Sequence, residues 1–344
     1  MNNPEPAAVN RDLFSIALGI TIAVVVAVHA MIAPSRFSDY DSYLAYVDSI
    51  WYFPAATPLY MEPLSRAYLY IARGVSETTN SALDLSHYLL GAVYLLGLYF
   101  LLRDRRDGWQ ALLIAFAISG PLLALVTIRA TPAYLFVALA VITADKHPVR
   151  SMAYMALAMC FHVSTGLAVG PWALLLIRKF LPPALRAEQA RPLILLGIIA
   201  AVIFLFFGQA LISALLSLLQ GLPVLNKYMV YSHDFGPPTA HSRVTSLSHY
   251  IFLVFTIFYA AAYLIFADEA AKKVNLYIVV SLLIYITLFF GLSPVAAFRQ
   301  ACFWQLPMTV MFPWRRVGLS PAASPFLIAG TLGFFFFQLS QVYQ

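Results

Sequence analysis

The chain has 344 residues, 62% of them apolar and 10% charged, with a net charge of +6. An ordinary soluble domain carries about 25% charged residues, so this composition excludes a soluble globular protein. Nor is the basic excess a nucleic-acid signal, because most of it lies in short loops between apolar runs, where Lys and Arg orient a protein in a bilayer.

In chain order the apolar runs fall at 13–33, 82–102, 109–127, 131–144, 151–178, 193–219, 250–267, 275–292, 298–313 and 322–341. Crossing a hydrocarbon core of ~30 Å takes roughly 17–25 such residues in a helix. The first twelve residues are polar and no small-residue cleavage site follows the first run, so 13–33 is expected to be a retained span. Many Tyr and Trp sit at the ends of the runs, as interfacial belts require. Residues 151–178 have basic loops at both ends. At 1.5 Å per residue that stretch is too short to cross twice. Two short helices broken near Phe161-His162-Val163-Ser164-Thr165-Gly166 are expected there, in preference to one tilted span. The expected fold is therefore all-α, a polytopic membrane helical bundle of about eleven segments forming a single transmembrane domain over 1–344.

Fourteen of the 21 Lys and Arg lie in five basic loops and the amino-terminal segment, which the charge rule puts in the cytoplasm. The other seven are Arg36, Arg66, Arg73, Arg129, Lys227, Arg243 and Arg299, on the opposite side. Two long outer segments, 34–81 and 220–249, are expected to form the outer face of the site. Within the first, Tyr43, Leu44, Val47, Ile50 and Trp51 recur at helical spacing and predict an interfacial helix, with a second helix from about Leu64 to Ala72.

Four constellations could carry chemistry. Ser38-Asp39-Tyr40-Asp41 and Met61-Glu62-Pro63-Leu64-Ser65-Arg66 place carboxylates just outside the first span, with Glu62 and Arg66 four apart. That spacing puts them on one face if the helix begins at Glu62, and Asp-Tyr-Asp is expected to cap the helix after it. Arg129 stands at the outer tip of a tight hairpin, where a guanidinium is costly unless it meets water or a partner. His162 is the titratable side chain of an apolar hairpin. The outer loop with Lys227, His233, His241, Arg243 and His249 spaces its histidines by eight, which fits phosphate or sugar contact better than a helical metal site. Cys160 and Cys302 both lie in apolar stretches, so neither a disulfide framework nor a thiolate metal site is expected. Phosphate-loop, dinucleotide, serine-hydrolase and zinc-hydrolase motifs are missing.

Asp39-Tyr40-Asp41-Ser42-Tyr43, then Glu62-Pro63, Arg129 opening a span, Phe161-His162-Val163-Ser164 ending a short one, and Arg299 near the last spans occur in that order. This order resembles the EpsG-like branch of Wzy-type polysaccharide polymerases over roughly residues 35–305. The family's Arg-Gln-x-x-Ala run appears as Arg129-Ala130-Thr131-Pro132-Ala133, without the Gln. The resemblance implies a GT-C-like glycosyltransferase in the bacterial inner membrane, its active site facing the periplasm. It implies extension of O-antigen or exopolysaccharide repeat units linked to undecaprenyl diphosphate, without cofactor or metal. Partners would be the lipid-linked glycan, membrane lipids and a chain-length regulator, with no nucleic acid.

On that reading the base is sought among Glu62, Asp41 and His162, with Glu62 favoured. The diphosphate would meet Arg129, Arg299, Arg66 and Arg243, and the sugars Asp39, Tyr40, Lys227, His233 and His241. Alternatives are a polyprenyl-phosphate-sugar glycosyltransferase, a lipid-linked oligosaccharide flippase or transporter, and a membrane acyltransferase. A transporter is expected to show repeat symmetry, which the sequence lacks, and an acyltransferase needs histidines on the cytoplasmic side.

Overall fold

A computed structural model of the chain describes residues 5–37, 39–53, 62–105, 107–180, 240–291, 294–312 and 323–342, with single positions elsewhere. The regular elements among them are helices. They are α1 (Glu5–Met31), α2 (Tyr40–Tyr52), α3 (Pro63–Gly74), α4 (Thr79–Leu102), α5 (Gly108–Leu125), α6 (Ala130–Thr143), α7 (Pro148–Phe161), α8 (Gly166–Ile177), α9 (Ala240–Phe266), α10 (Glu269–Lys272), α11 (Asn275–Gly291), α12 (Pro294–Met311) and α13 (Ala323–Val342). Short 3-10 turns add Pro34–Arg36, Val163–Thr165 and Arg178–Phe180. Most of the 193–219 run and of the second outer segment lies outside the described residues.

Four described stretches are long and apolar enough to cross a membrane: Arg11–Met31, Thr79–Leu102, Gly108–Leu125 and His249–Phe266. Shorter apolar helices follow at Ala130–Thr143, Val163–Ile177, Asn275–Phe290 and Ser324–Leu339. The regular structure of the described residues is thus all-helical, with the apolar spans of a membrane protein.

It groups into two compact units, residues 1–166 with 309–344, and residues 167–308. In the first unit α5 is central. From Ile118 to Leu125 every residue of it is buried, and it packs against α1, α4 and α13. Helix α6 lies along α7, and α3 against α4. In the second unit α9 packs on α11, and the Tyr277 hydroxyl donates to the Phe303 carbonyl of α12 at 2.9 Å.

Local chemistry sets the boundaries that matter to the site. Helix α4 opens with a reciprocal cap: Ser81 N–H donates to Thr78 Oγ1 and Thr78 N–H to Ser81 Oγ, both at 3.1 Å. At the α5–α6 turn, Thr131 Oγ1 donates to the Leu123 carbonyl at 2.7 Å and bonds Thr127 Oγ1 at 2.8 Å. These hydroxyls satisfy carbonyls that the end of α5 leaves open, so the turn carrying Arg129 is tightly held.

The stretch 151–178 is interrupted, as its flanking charges suggest. Helix α7 ends at Phe161, and His162 is extended at φ −151° and ψ 124°. Asp39 sits at the start of α2 as expected, but at φ 69° its carboxylate makes no capping bond, which corrects the capping role read from Asp-Tyr-Asp.

Candidate functional site

Glu62 is the centre of the candidate site. As expected from Pro63, the helix starts after Glu62: α3 begins at Pro63, and Glu62 is the residue before, left-handed at φ 52° and ψ 53°. The proline ring keeps its predecessor out of the right-handed helix, and the left-handed region costs a non-glycine residue of order 1 kcal/mol. Such a conformation persists only where the surroundings over-determine it, and here they do.

The Glu62 carboxylate is buried, 3% exposed. Its Oε2 accepts from Arg129 Nη1 at 2.6 Å. Its Oε1 faces His162 Nδ1 at 2.7 Å and accepts from the Val163 amide at 3.3 Å. Three elements thereby converge on one carboxylate: the start of α3, the α5–α6 turn and the α7 break. A carboxylate accepts but does not donate, so His162 carries its hydrogen on Nδ1. When the ring is neutral, Nε2 is then its basic nitrogen.

The break in α7 is completed from the same side. Ser65 Oγ donates to the Phe161 carbonyl at 2.6 Å, and Thr165 Oγ1 to the Ala158 carbonyl at 3.2 Å. Backbone that leaves helical geometry at membrane depth survives only when its polar groups are satisfied or line a cavity. Ser65, Thr165 and Glu62 meet that condition here.

Arg129 is braced by aromatic faces. Its guanidinium carbon lies 4.5 Å from the Tyr46 ring centre and 5.4 Å from that of Tyr43, a cation–π arrangement. Burial pushes the Tyr46 phenol up, with Arg129 pulling against it, and its oxygen accepts from the Arg129 guanidinium. Arg129 Nε is buried without a hydrogen-bond partner. Helix α2, which carries both tyrosines, is anchored by His87 of α4. The His87 ring stacks on Tyr40 at 5.8 Å and meets Phe37 and Tyr43 edge-on. Its Nδ1 bonds the Leu125 carbonyl at 2.7 Å, which ties α2 to the turn holding Arg129.

Of the residues singled out in the sequence, Glu62, Arg129 and His162 are brought into direct contact. Arg66 follows one turn along α3 and is 8% exposed. Asp39, Tyr40 and Asp41 line a polar pocket of about 350 Å³ together with Arg36; the Tyr40 hydroxyl donates to Asp84 Oδ1 at 3.0 Å. Arg299 is exposed on α12 in the second unit. His241 and Arg243 fall within the backbone of α9, their side chains outside the described residues, and Lys227 and His233 lie outside them altogether. Tyr46, Ser65 and the Val163 amide are the site groups that sequence reasoning passed over. No group of three or more His, Cys, Asp or Glu that could hold a metal occurs among the described residues.

The model of the EpsG family matches residues 19–314, most of the chain. The chain belongs to the EpsG family. No curated protein and no solved structure matches it. Membership of the EpsG family points to a polysaccharide polymerase of glycosyltransferase type, in keeping with the apolar helices of a membrane protein. The three contacting side chains all fall inside the stretch that matches EpsG.

Proposed function

We propose that this protein polymerises oligosaccharide repeat units carried on undecaprenyl diphosphate at the periplasmic face of the inner membrane. The observation that carries the reading is the buried Arg129–Glu62–His162 contact, in a chain whose family is one of polysaccharide polymerases.

In the reaction, the hydroxyl of one lipid-linked unit attacks the anomeric carbon of the glycan on another. The new C–O bond forms, the bond from the anomeric carbon to the diphosphate oxygen breaks, and undecaprenyl diphosphate leaves with the bonding pair. The hydroxyl proton needs an acceptor within hydrogen-bond reach. His162 suits that role through Nε2, with Glu62 fixing its tautomer and stabilising the imidazolium. This reverses the ranking that sequence alone suggested, in which Glu62 is the base. A carboxylate already engaged by a guanidinium at 2.6 Å is a weak proton acceptor and a good orienting group.

Charge accounting agrees. Before reaction Glu62 and Arg129 cancel and His162 is neutral. Proton uptake leaves the trio at a net single positive charge while the diphosphate departs. Arg129 and Arg66 supply guanidinium groups suited to phosphate oxygens. Arg299 and Arg243, assigned the same task from the sequence, belong to the second unit. The polar pocket lined by Arg36, Asp39, Tyr40 and Asp41 suits the acceptor's sugar hydroxyls. Basic loops in the cytoplasm and eleven membrane segments complete the topology.

Lipid-linked products from a strain lacking the protein test this reading. Single repeat units should accumulate on the lipid. Disappearance of all periplasmic lipid-linked units would instead indicate a flippase and overturn it.

A further inference from the structure

Helix α3 turns an apolar stripe outward. It buries Ser65, Arg66, Leu69 and Ala72 and exposes Ala67, Tyr70 and Ile71, with Val75 just beyond its end. Tyr70 is 49% exposed, Ile71 64% and Val75 72%. A helix at an aqueous surface shows the opposite pattern, polar outward and apolar inward. Here the buried serine is spent on the α7 break, and the outward stripe is apolar, as on a surface in contact with lipid tails.

A pocket of about 300 Å³ opens on this stripe, lined by Pro63, Arg66, Ala67, Tyr70 and Ile71. Its walls are apolar except for one guanidinium and one phenol. Arg66 lies one helical turn past Glu62, whose carbonyl accepts the Arg66 amide at 3.0 Å. A soluble anion has no use for the apolar walls, and a neutral lipid none for the arginine. A lipid phosphate uses both: its tail lies along Tyr70 and Ile71, and its phosphate meets Arg66.

We propose that this pocket is a lateral portal through which the lipid-linked donor reaches the site from within the bilayer. The donor's tail stays on the outer face of α3, and Arg66 holds the phosphate beside Glu62 and Arg129. The lipid's identity rests on the polymerase reading; the portal itself rests on the geometry of α3.

The test places the photoreactive residue p-benzoylphenylalanine at position 71 of the full chain. The protein is held in nanodiscs of phosphatidylglycerol and phosphatidylcholine doped with undecaprenyl phosphate. Illumination should give an undecaprenyl phosphate adduct well above that lipid's mole fraction. Arg66→Ala should reduce it about tenfold or more, the loss expected for one charge-assisted contact. Ala67→Trp, at an exposed position that tolerates bulk, should block it even where Arg66→Ala does not fold. Adducts that merely follow bulk lipid composition, or that persist in Ala67→Trp, would overturn the portal.

Polymer formation from lipid-linked repeat units, measured in the same nanodiscs, separates the two readings. A protein that polymerises without the selective adduct lacks the portal and keeps the function. A selective adduct in a protein that forms no polymer sustains the portal and overturns the polymerase reading.

Discussion

Glu62 Oε1 and His162 Nδ1 lie 2.7 Å apart, although a hundred residues separate them in the chain. The contact joins a left-handed residue before α3 to the extended residue that ends α7. Both are departures from helical geometry, at the ends of helices α3 and α7. Each break supplies what the other needs: the α7 break presents an imidazole and the Val163 amide, and the α3 start presents a carboxylate to receive them.

Glu62→Gln is expected to abolish polymer formation while the protein still folds. The carboxylate accepts on both sides, from Arg129 and from His162. An amide must turn its NH2 toward one of those donors. Turned toward His162, it selects the opposite tautomer and puts the hydrogen on Nε2, a change worth about 10⁴-fold where a similar pair has been altered. Leaving a buried donor unpaired should also lower stability by about 1–3 kcal/mol. Polymer ladders and melting in detergent measure the two effects.

Arg129→Lys keeps the charge and loses the planar fork and the ring stacking. The guanidinium lies over Tyr46 at 4.5 Å, a contact worth about 1 kcal/mol that an ammonium recovers only in part. Polymer yield should fall by up to about fivefold, since each 1.4 kcal/mol is tenfold, with normal expression. Wild-type yield from Arg129→Lys would mean that charge alone suffices.

Ser65→Ala removes the hydroxyl bonded to the Phe161 carbonyl at 2.6 Å. The carbonyl at the α7 break then lacks that donor, and stability should drop by about 1 kcal/mol. Activity should fall with it, because the same break positions His162. Unchanged melting and unchanged polymer length would show that the break is held by Thr165 and Glu62 alone.

Much of the helix plan was legible in the sequence, and the site only in pieces. The break at His162 followed from two basic loops flanking too short an apolar run, and the structure places it there. Helices α2 and α3 followed from hydrophobic spacing and from Pro63. Spacing also directed Glu62 to Arg66, four residues on, because only local neighbours are visible in a linear pattern. The partners at Arg129 and His162, 67 and 100 residues away, depend on how α3, α6 and α7 pack. Tyr46 fell outside the apolar stripe of α2, so nothing marked it as a ring against a guanidinium. His87 looked like an ordinary member of an apolar run, and its work of tying α2 to the α5–α6 turn has no sequence signature.

The membrane orientation makes a separate prediction. Reporter fusions after Arg106 and after Gly236 should report opposite sides of the membrane, the first cytoplasmic, since Lys and Arg concentrate in cytoplasmic loops. Signals from the same side would move the Glu62 site away from the periplasmic face.

The most direct test of the account is the rate at which His162→Asn extends lipid-linked repeat units after reconstitution in liposomes. Asparagine can still donate a side-chain N–H to Glu62, so the fold and the Arg129–Glu62 pair should survive. It lacks the basic nitrogen on the far side of the ring. Extension should fall by roughly 10²–10⁴-fold, the usual contribution of a general base, with single repeat units left on the lipid and an unchanged melting temperature. Full-length polymer at close to the wild-type rate would contradict the assignment of His162 as the proton acceptor and, with it, the catalytic reading of the Glu62 site.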